Sequence, residues 1–275
     1  MKWSGRTVPY DLGRTVPYDL LGGGTIKKSI KYKIVILISL LIMVFVFNFI
    51  NSFTGNPVSA FIATGKIKDY AEANYSAMDL ELSEVYYNFK NSAYGCHVQS
   101  RKSEDTNFYI GYSHGRVSDD YEYEVANHFT TYRRLSKDFN DMVTHIIEKE
   151  YPYETTLIIG DLLGDTQKLT PDAPLNLKDM PLQLSLNVSV LSDNQSDEHL
   201  AVLLLELHQL LLSNDITIDE YTIRLEEPMP EEKKPGSGYN IYLVDFPAKY
   251  ITEDKEVLTA AINKHKLEAN KNEKY

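Results

Sequence analysis

The sequence predicts an α+β protein behind one membrane-spanning helix: an amino-terminal transmembrane helix, then two extracytoplasmic domains, each an antiparallel sheet with packed helices. Three observations lead there. An uncharged apolar run occupies Ile34–Ile50. Strand-like alternation of period two recurs in both halves of the remaining chain. Helix-like segments flank groups of these alternations instead of separating each from the next. Hydrophobic residues at 43% and aromatics at 11% provide a real core, which excludes a wholly disordered chain. The expected division is a cytoplasmic, mostly disordered tail at 1–33, the membrane helix at 34–50, a first domain at 51–151 and a second at 152–275.

The apolar run, IVILISLLIMVFVFNFI, has only Ser39 and Asn48 as polar members. Seventeen residues make roughly 26 Å of helix, close to the ~30 Å of a hydrocarbon core, and extension through Ser52 and Phe53 closes the gap. No polar residue recurs every three or four positions, so a buried amphipathic helix is the poorer reading. Lys27, Lys28, Lys31 and Lys33 precede the run, and the first charges after it are Lys66, Lys68 and Asp69. The positive-inside rule then keeps the amino terminus cytoplasmic and sends the following residues outward. The competing reading is a cleaved signal peptide and a secreted product, since Val58-Ser59-Ala60 has a cleavage-site pattern; the apolar run is longer than a usual signal core. No cysteine near the run supports a lipoprotein anchor. Before the run, GRTVPYDL at 5–12 recurs verbatim at 13–20. Two copies of eight residues cannot stack into a solenoid, so this leader is set aside from the fold.

Beyond Gly55, Asn56 and Pro57 read as cap and first position of a helix carrying Val58, Phe61, Ile62, Ile67, Tyr70 and Ala71 to about Tyr75. Tyr94, Cys96, Val98 and Ser100 alternate as one strand; Phe108, Ile110 and Tyr112 as a second; Tyr121, Tyr123 and Val125, after a His114-Gly115 turn, as a third. A long helix with Tyr132, Leu135, Phe139, Met142, Val143 and Ile146 on one face closes this unit and stops by Tyr151, ahead of Pro152. The second unit opens with the apolar run Leu157–Leu163, a proline-bearing loop at 164–181 and the strand Leu182–Val190. Leu200–Leu212 is too short and too interrupted by Glu206, His208 and Gln209 to span a membrane, and reads as a buried helix on that strand. Strands around Tyr221–Leu225 and Tyr239–Phe246 enclose a loop at 227–238. A last helix starts at Thr252.

Charge is uneven: residues 1–33 hold seven basic and two acidic side chains, a net +5, which leaves −16 for residues 51–275 out of the overall −11. That balance is the wrong sign for nucleic acid or an anionic lipid surface. The lone Cys96 excludes an internal disulfide and a cysteine-rich zinc site. Cys96 and His97 are adjacent on a strand and point to opposite faces, so they cannot activate each other, and Cys96 reads as a buried small hydrophobe. The remaining histidines follow no metal-ligand spacing. The acids Asp119, Asp120, Glu122 and Glu124, and separately Asp193, Asp197 and Glu198, fit no calcium loop, and the alternating acids of 120–124 read as a solvated strand face. Phosphate loops and nucleophile elbows are absent from the sequence. No catalytic, cofactor or metal residue is assigned, and no cofactor is implied.

The succession Asn56-Pro57, Val85-Tyr86-Tyr87-Asn88-Phe89-Lys90, Tyr94…Val98…Ser100, Asp105-Thr106-Asn107-Phe108 and Asp119-Asp120-Tyr121 resembles the YfjL-like proteins, membrane-anchored proteins of Gram-positive bacteria. The resemblance covers residues 25–150 most closely and 151–275 as a matching carboxy-terminal domain; the duplicated leader departs from it. It implies a single-pass cell-membrane protein with two extracytoplasmic domains and supplies no catalytic residues. The helix-then-sheet order of 56–126 is also similar in pattern to cystatin-like envelope modules. The expected function is a non-enzymatic binding or scaffold module facing the envelope, held to lipid by its anchor and open to a protein partner. The alternative is an envelope hydrolase whose residues meet only in the fold.

Overall fold

A computed structural model describes residues 23–228 and 241–272 of the chain. The duplicated leader, most of the expected loop at 227–238 and the expected strand start at Tyr239 lie outside the described residues. Helix α1, Gly23–Thr54, starts well before the apolar run and continues past it. Its side chains from Ile30 onward pack into no core; Phe45, for example, is 69% exposed. The polar Asn48 bonds back to the Val44 carbonyl at 2.8 Å, so the apolar stretch satisfies its own polar group.

Gly55 ends the helix with φ +74°, and a Cβ there would lie 2.7 Å from Tyr87 and 2.8 Å from the Tyr94 hydroxyl. Both the left-handed backbone and the close approach require glycine. Helix α2, Pro57–Tyr75, follows, with the Asn56 side chain accepting from the Val58 and Ser59 amides as the sequence predicts. Its buried residues Ala63, Ile67 and Ala71 face the first sheet.

That sheet comprises β1 (Leu80–Leu82), β2 (Tyr86–Asn88), β3 (Ala93–Ser100), β4 (Asn107–Ser113) and β5 (Arg116–Asp119), all antiparallel. The short β1 and β2 pair in succession along one edge of β3. His114 and Gly115, both with positive φ, form the tight β4–β5 turn. The third strand expected through Tyr121–Val125 is not one. The strand is Arg116–Asp119, and Glu122–Ala126 form a wide helical turn in which the Asn127 amide reaches the Glu122 carbonyl at 3.0 Å. Asp120 ends the pairing by turning its carboxylate onto the Tyr109 amide at 2.6 Å. The helical turn packs Tyr121 and Val125 of YEYEV against the first core and leaves Glu122 and Tyr123 exposed, so the alternation marks no strand.

Helix α3, Phe129–Glu150, ends at Tyr151 as expected, but its buried face belongs to the second core. Leu135, Phe139, Val143 and Ile147 pack with β6 (Thr155–Leu163), β7 (Gln183–Leu191), α4 (Asp197–Ser213), β8 (Glu220–Glu226), β9 (Ile241–Pro247) and α5 (Lys255–Asn272). The helix expected to close the first unit therefore opens the second. Gly160 of β6 supplies the physical reason: its missing side chain leaves room for Phe139 and Val143 to settle on the sheet.

The second sheet has the order β6-β7-β8-β9 and is mixed. Both outer pairs are antiparallel, whereas β7 and β8 run parallel, with Val188 opposite Ile223. The expectation of a purely antiparallel sheet fails here because α4 carries the chain back across the face of the sheet, which returns it in the same direction. As predicted, α4 is buried in the core that contains β7; Leu200, Leu203, Leu204, Leu207 and Leu211 are all inaccessible. The last helix is capped by Asp254, whose carboxylate accepts from the Glu256 amide at 3.0 Å, and not by Thr252.

Candidate functional site

The structure separates the residues that looked most chemical. Cys96 lies at 0% exposure among Ile67, Ala71, Val98, Phe108 and Ile110, and burial pushes its thiol pKa up. His97 points from the opposite face of β3, as the strand period requires. Asp119, Asp120 and Glu124 are engaged structurally while Glu122 is exposed, so the four do not form a solvated strand face. Asp119 accepts from the Tyr70 hydroxyl at 2.6 Å and the Tyr75 hydroxyl at 2.9 Å, while Asp120 accepts from the Tyr109 amide within β4 and Glu124 pairs with Arg133. The bond to Asp119, then burial, raises the Tyr70 pKa; burial and the same carboxylate raise that of Tyr75. His208 sits half-buried against the Tyr221 hydroxyl at 2.9 Å, and burial lowers its pKa.

What the fold brings together instead is the uncovered face of the first sheet. Since α2 covers the side carrying Cys96, Val98, Phe108 and Ile110, alternation turns His97, Gln99, Asn107 and Tyr109 the other way. The β3–β4 register sets His97 opposite Tyr109 and Gln99 opposite Asn107. Tyr86 enters from β2, opposite Gly95. Three rings result: Tyr86 and His97 stacked at 6.3 Å, His97 and Tyr109 edge to face at 5.5 Å, and Tyr86 and Tyr109 tilted at 6.2 Å. The Tyr109 ring lies over Gly95, where a Cβ would come within 2.1 Å of its hydroxyl. That hydroxyl is buried and unpartnered, and burial raises its pKa. Beside the rings, Glu81, Ser83, His97, Gln99 and Asn107 line an open groove of about 490 Å³. The face offers flat rings for stacking, an imidazole and amide and carboxylate groups for orientation, which suits recognition of a ring or a cation. The alternation made His97 and Tyr109 neighbours in principle; Tyr86 was beyond reach because a three-residue strand leaves no periodic signal.

A second polar cluster joins the two sheets. Asp105, in the β3–β4 turn, has a side chain 3% exposed and receives Arg134 of α3 in bidentate fashion at 2.7 and 2.8 Å. The Asp172 amide donates to Asp105 at 2.7 Å, and the Asp105 amide donates back to the Asp172 carboxylate at 2.9 Å. Arg134 also donates to the Ala173 carbonyl at 2.9 Å. Burial alone would raise the Asp105 pKa, but Arg134 and the Asp172 amide together outweigh it and hold the carboxyl below its usual value. Every strong group is satisfied within the cluster, so it acts as a clamp between the units.

Comparisons with known proteins agree with the two-part organisation. The profile of the YfjL-like N-terminal domain matches residues 27–121, and that of the YfjL-like C-terminal domain matches residues 138–259. No curated protein matches the sequence significantly. The crystal structure of a DUF5037 family protein from Ruminococcus gnavus aligns over 72% of this chain and 98% of that chain, at 13% identity and a TM-score of 0.26. A likeness that loose carries no argument.

Proposed function

The chain belongs to the YfjL-like family, and from that premise we propose that it is a single-pass membrane protein whose extracytoplasmic part is a non-enzymatic binding or scaffold module. Ile34–Ile50 would span the bilayer, with the lysine-rich side in the cytoplasm and residues 51–275 facing the envelope. The exposed apolar length of α1 supports the anchor. We place the boundary between the two outer units near Asn127, because α3 shares its core with the second sheet. The observation that carries the binding reading is the Tyr86–His97–Tyr109 face, an ordered set of rings left uncovered by the helix that packs the other side. With −16 on residues 51–275, the complementary partner is a cationic protein or a cationic segment of one. Anchoring raises the effective concentration of such a partner at the membrane.

The test is crosslinking in intact membranes through a photoreactive residue at Tyr86, followed by recovery of the adduct. A discrete adduct is expected, and His97→Ala with Tyr109→Ala should lower its yield about tenfold, a loss of ~1.4 kcal/mol of binding. No adduct, together with turnover of a wall peptide that disappears in Cys96→Ala, would overturn the reading in favour of a hydrolase.

A further inference from the structure

We infer that the first two turns of α2 are a second lipid contact: Val58, Phe61 and Ile62 lie in the outer interface of the bilayer and seat the first domain on it. The inference rests on the anchor reading above. On α2 the buried residues Ala63, Ile67 and Ala71 mark the side that faces the sheet. Val58, Phe61 and Ile62, spaced i, i+3, i+4, form the opposite side and are 67%, 81% and 46% exposed. Further along the same side the residues become Gly65, Asp69 and Glu72. The apolar character is thus confined to the turns nearest the anchor, within about 8 Å of the start of α2. A protein partner would have no reason to follow distance from the membrane.

Charge and rigidity agree. Residues 51–68 contain no acid, and their first charges are Lys66 and Lys68; Lys90 follows Phe89. In an outer part that is acidic overall, this border carries cations placed for lipid phosphates. The junction is also built to hold an angle. The Tyr94 hydroxyl accepts from the Asn56 amide and donates to its carbonyl at 3.0 Å, and the Phe53 and Phe89 rings meet at 5.9 Å. An open crevice of about 440 Å³ walled by Phe47, Pro57, Ala60, Val85 and Tyr87 joins the end of α1 to α2 and the sheet. Anchor and α2 therefore approach the bilayer as one piece.

The experiment uses the full chain with Cys96→Ala, reconstituted in vesicles of phosphatidylcholine and phosphatidylglycerol, carrying one polarity-sensitive fluorophore at Phe61→Cys, Asp69→Cys or Phe45→Cys. Phe61 is exposed, so its replacement disturbs no core. With spin-labelled lipid, the probe at position 61 should be quenched at least about twofold more than the probe at 69, and the probe at 45 should be quenched from the acyl region. Quenching at 45 with equal, weak quenching at 61 and 69 overturns this inference and leaves the anchor intact. No quenching at 45 removes the anchor and this inference with it. A probe at 61 that is shielded from water but insensitive to spin-labelled lipid, and becomes exposed on dilution to one chain per vesicle, assigns the face to a second copy and overturns the lipid contact.

Discussion

Asp105 decides more about this molecule than any residue singled out for chemistry. Its carboxylate is buried, and Arg134 is its counter-charge, so removal of the arginine leaves an uncompensated buried charge. Arg134→Ala should destabilise the solubilised chain by about 3 kcal/mol, read as a lower urea midpoint by near-ultraviolet circular dichroism. The folded state holds Asp105 below its usual value, so between the folded and unfolded values the unfolded chain binds more protons. This contribution is complete above the unfolded value of about 4 and fades as pH falls below it. Asp105→Asn should therefore lose stability at neutral pH and show a shallower acid-side slope below about pH 4 than the parent. An unchanged slope would remove the clamp from the list of stabilising features. The sequence showed Asp105 only as part of the family-like run Asp105–Phe108; its partners lie 29 and 67 positions away and leave no local trace.

Among the elements, two glycines have opposite roles, one buried in β6 and one exposed on α2. In β6, a Cβ on Gly160 would lie 2.8 Å from Val143 and 3.0 Å from Phe139, both fully buried on α3. Gly160→Ala should cost about 1–3 kcal/mol through overpacking. In α2, Gly65 has open space around it, and Gly65→Ala should add up to about 1 kcal/mol by restricting the unfolded chain and favouring helix. Thermal unfolding of the two variants should move in opposite directions; a shift of the same sign would refute the docking of α3 on β6. The long elements were readable because burial is periodic: β3, β4, β7, β8, α3 and α4 fall where alternation or helical spacing put them. The short ones were not. β1 and β2 have three residues each, too few for a period, and YEYEV mimicked a strand while forming a turn of helix.

For the whole molecule, the proposed orientation makes a simple contrast. A membrane-impermeant maleimide added to intact cells should label Tyr242→Cys, which is 58% exposed on β9, and should label Lys31→Cys only after permeabilisation. The parent should stay unlabelled while folded, since Cys96 is inaccessible and its thiol is disfavoured as thiolate by burial. Labelling of position 31 without permeabilisation would reverse the topology. The local pattern makes α4 a buried helix, yet its role as the crossover that makes β7 and β8 parallel depends on which strand the chain rejoins.

By itself, the sequence determined the apolar helix, the α+β class, the burial of Cys96, the opposed directions of Cys96 and His97 and the place of α4 in the core that contains β7. Each follows from local rules: hydropathy over one segment, side-chain period along one strand, or the side of one helix that must leave water. Tertiary structure alone decided that α3 serves the second core, that the second sheet is mixed, that Asp105, Arg134 and Asp172 clamp the units, and that Tyr86 joins His97 and Tyr109 on an open face. These depend on contacts between residues far apart in the chain, whose free energy comes from desolvation and close packing at the meeting point, and no local pattern encodes where that meeting occurs.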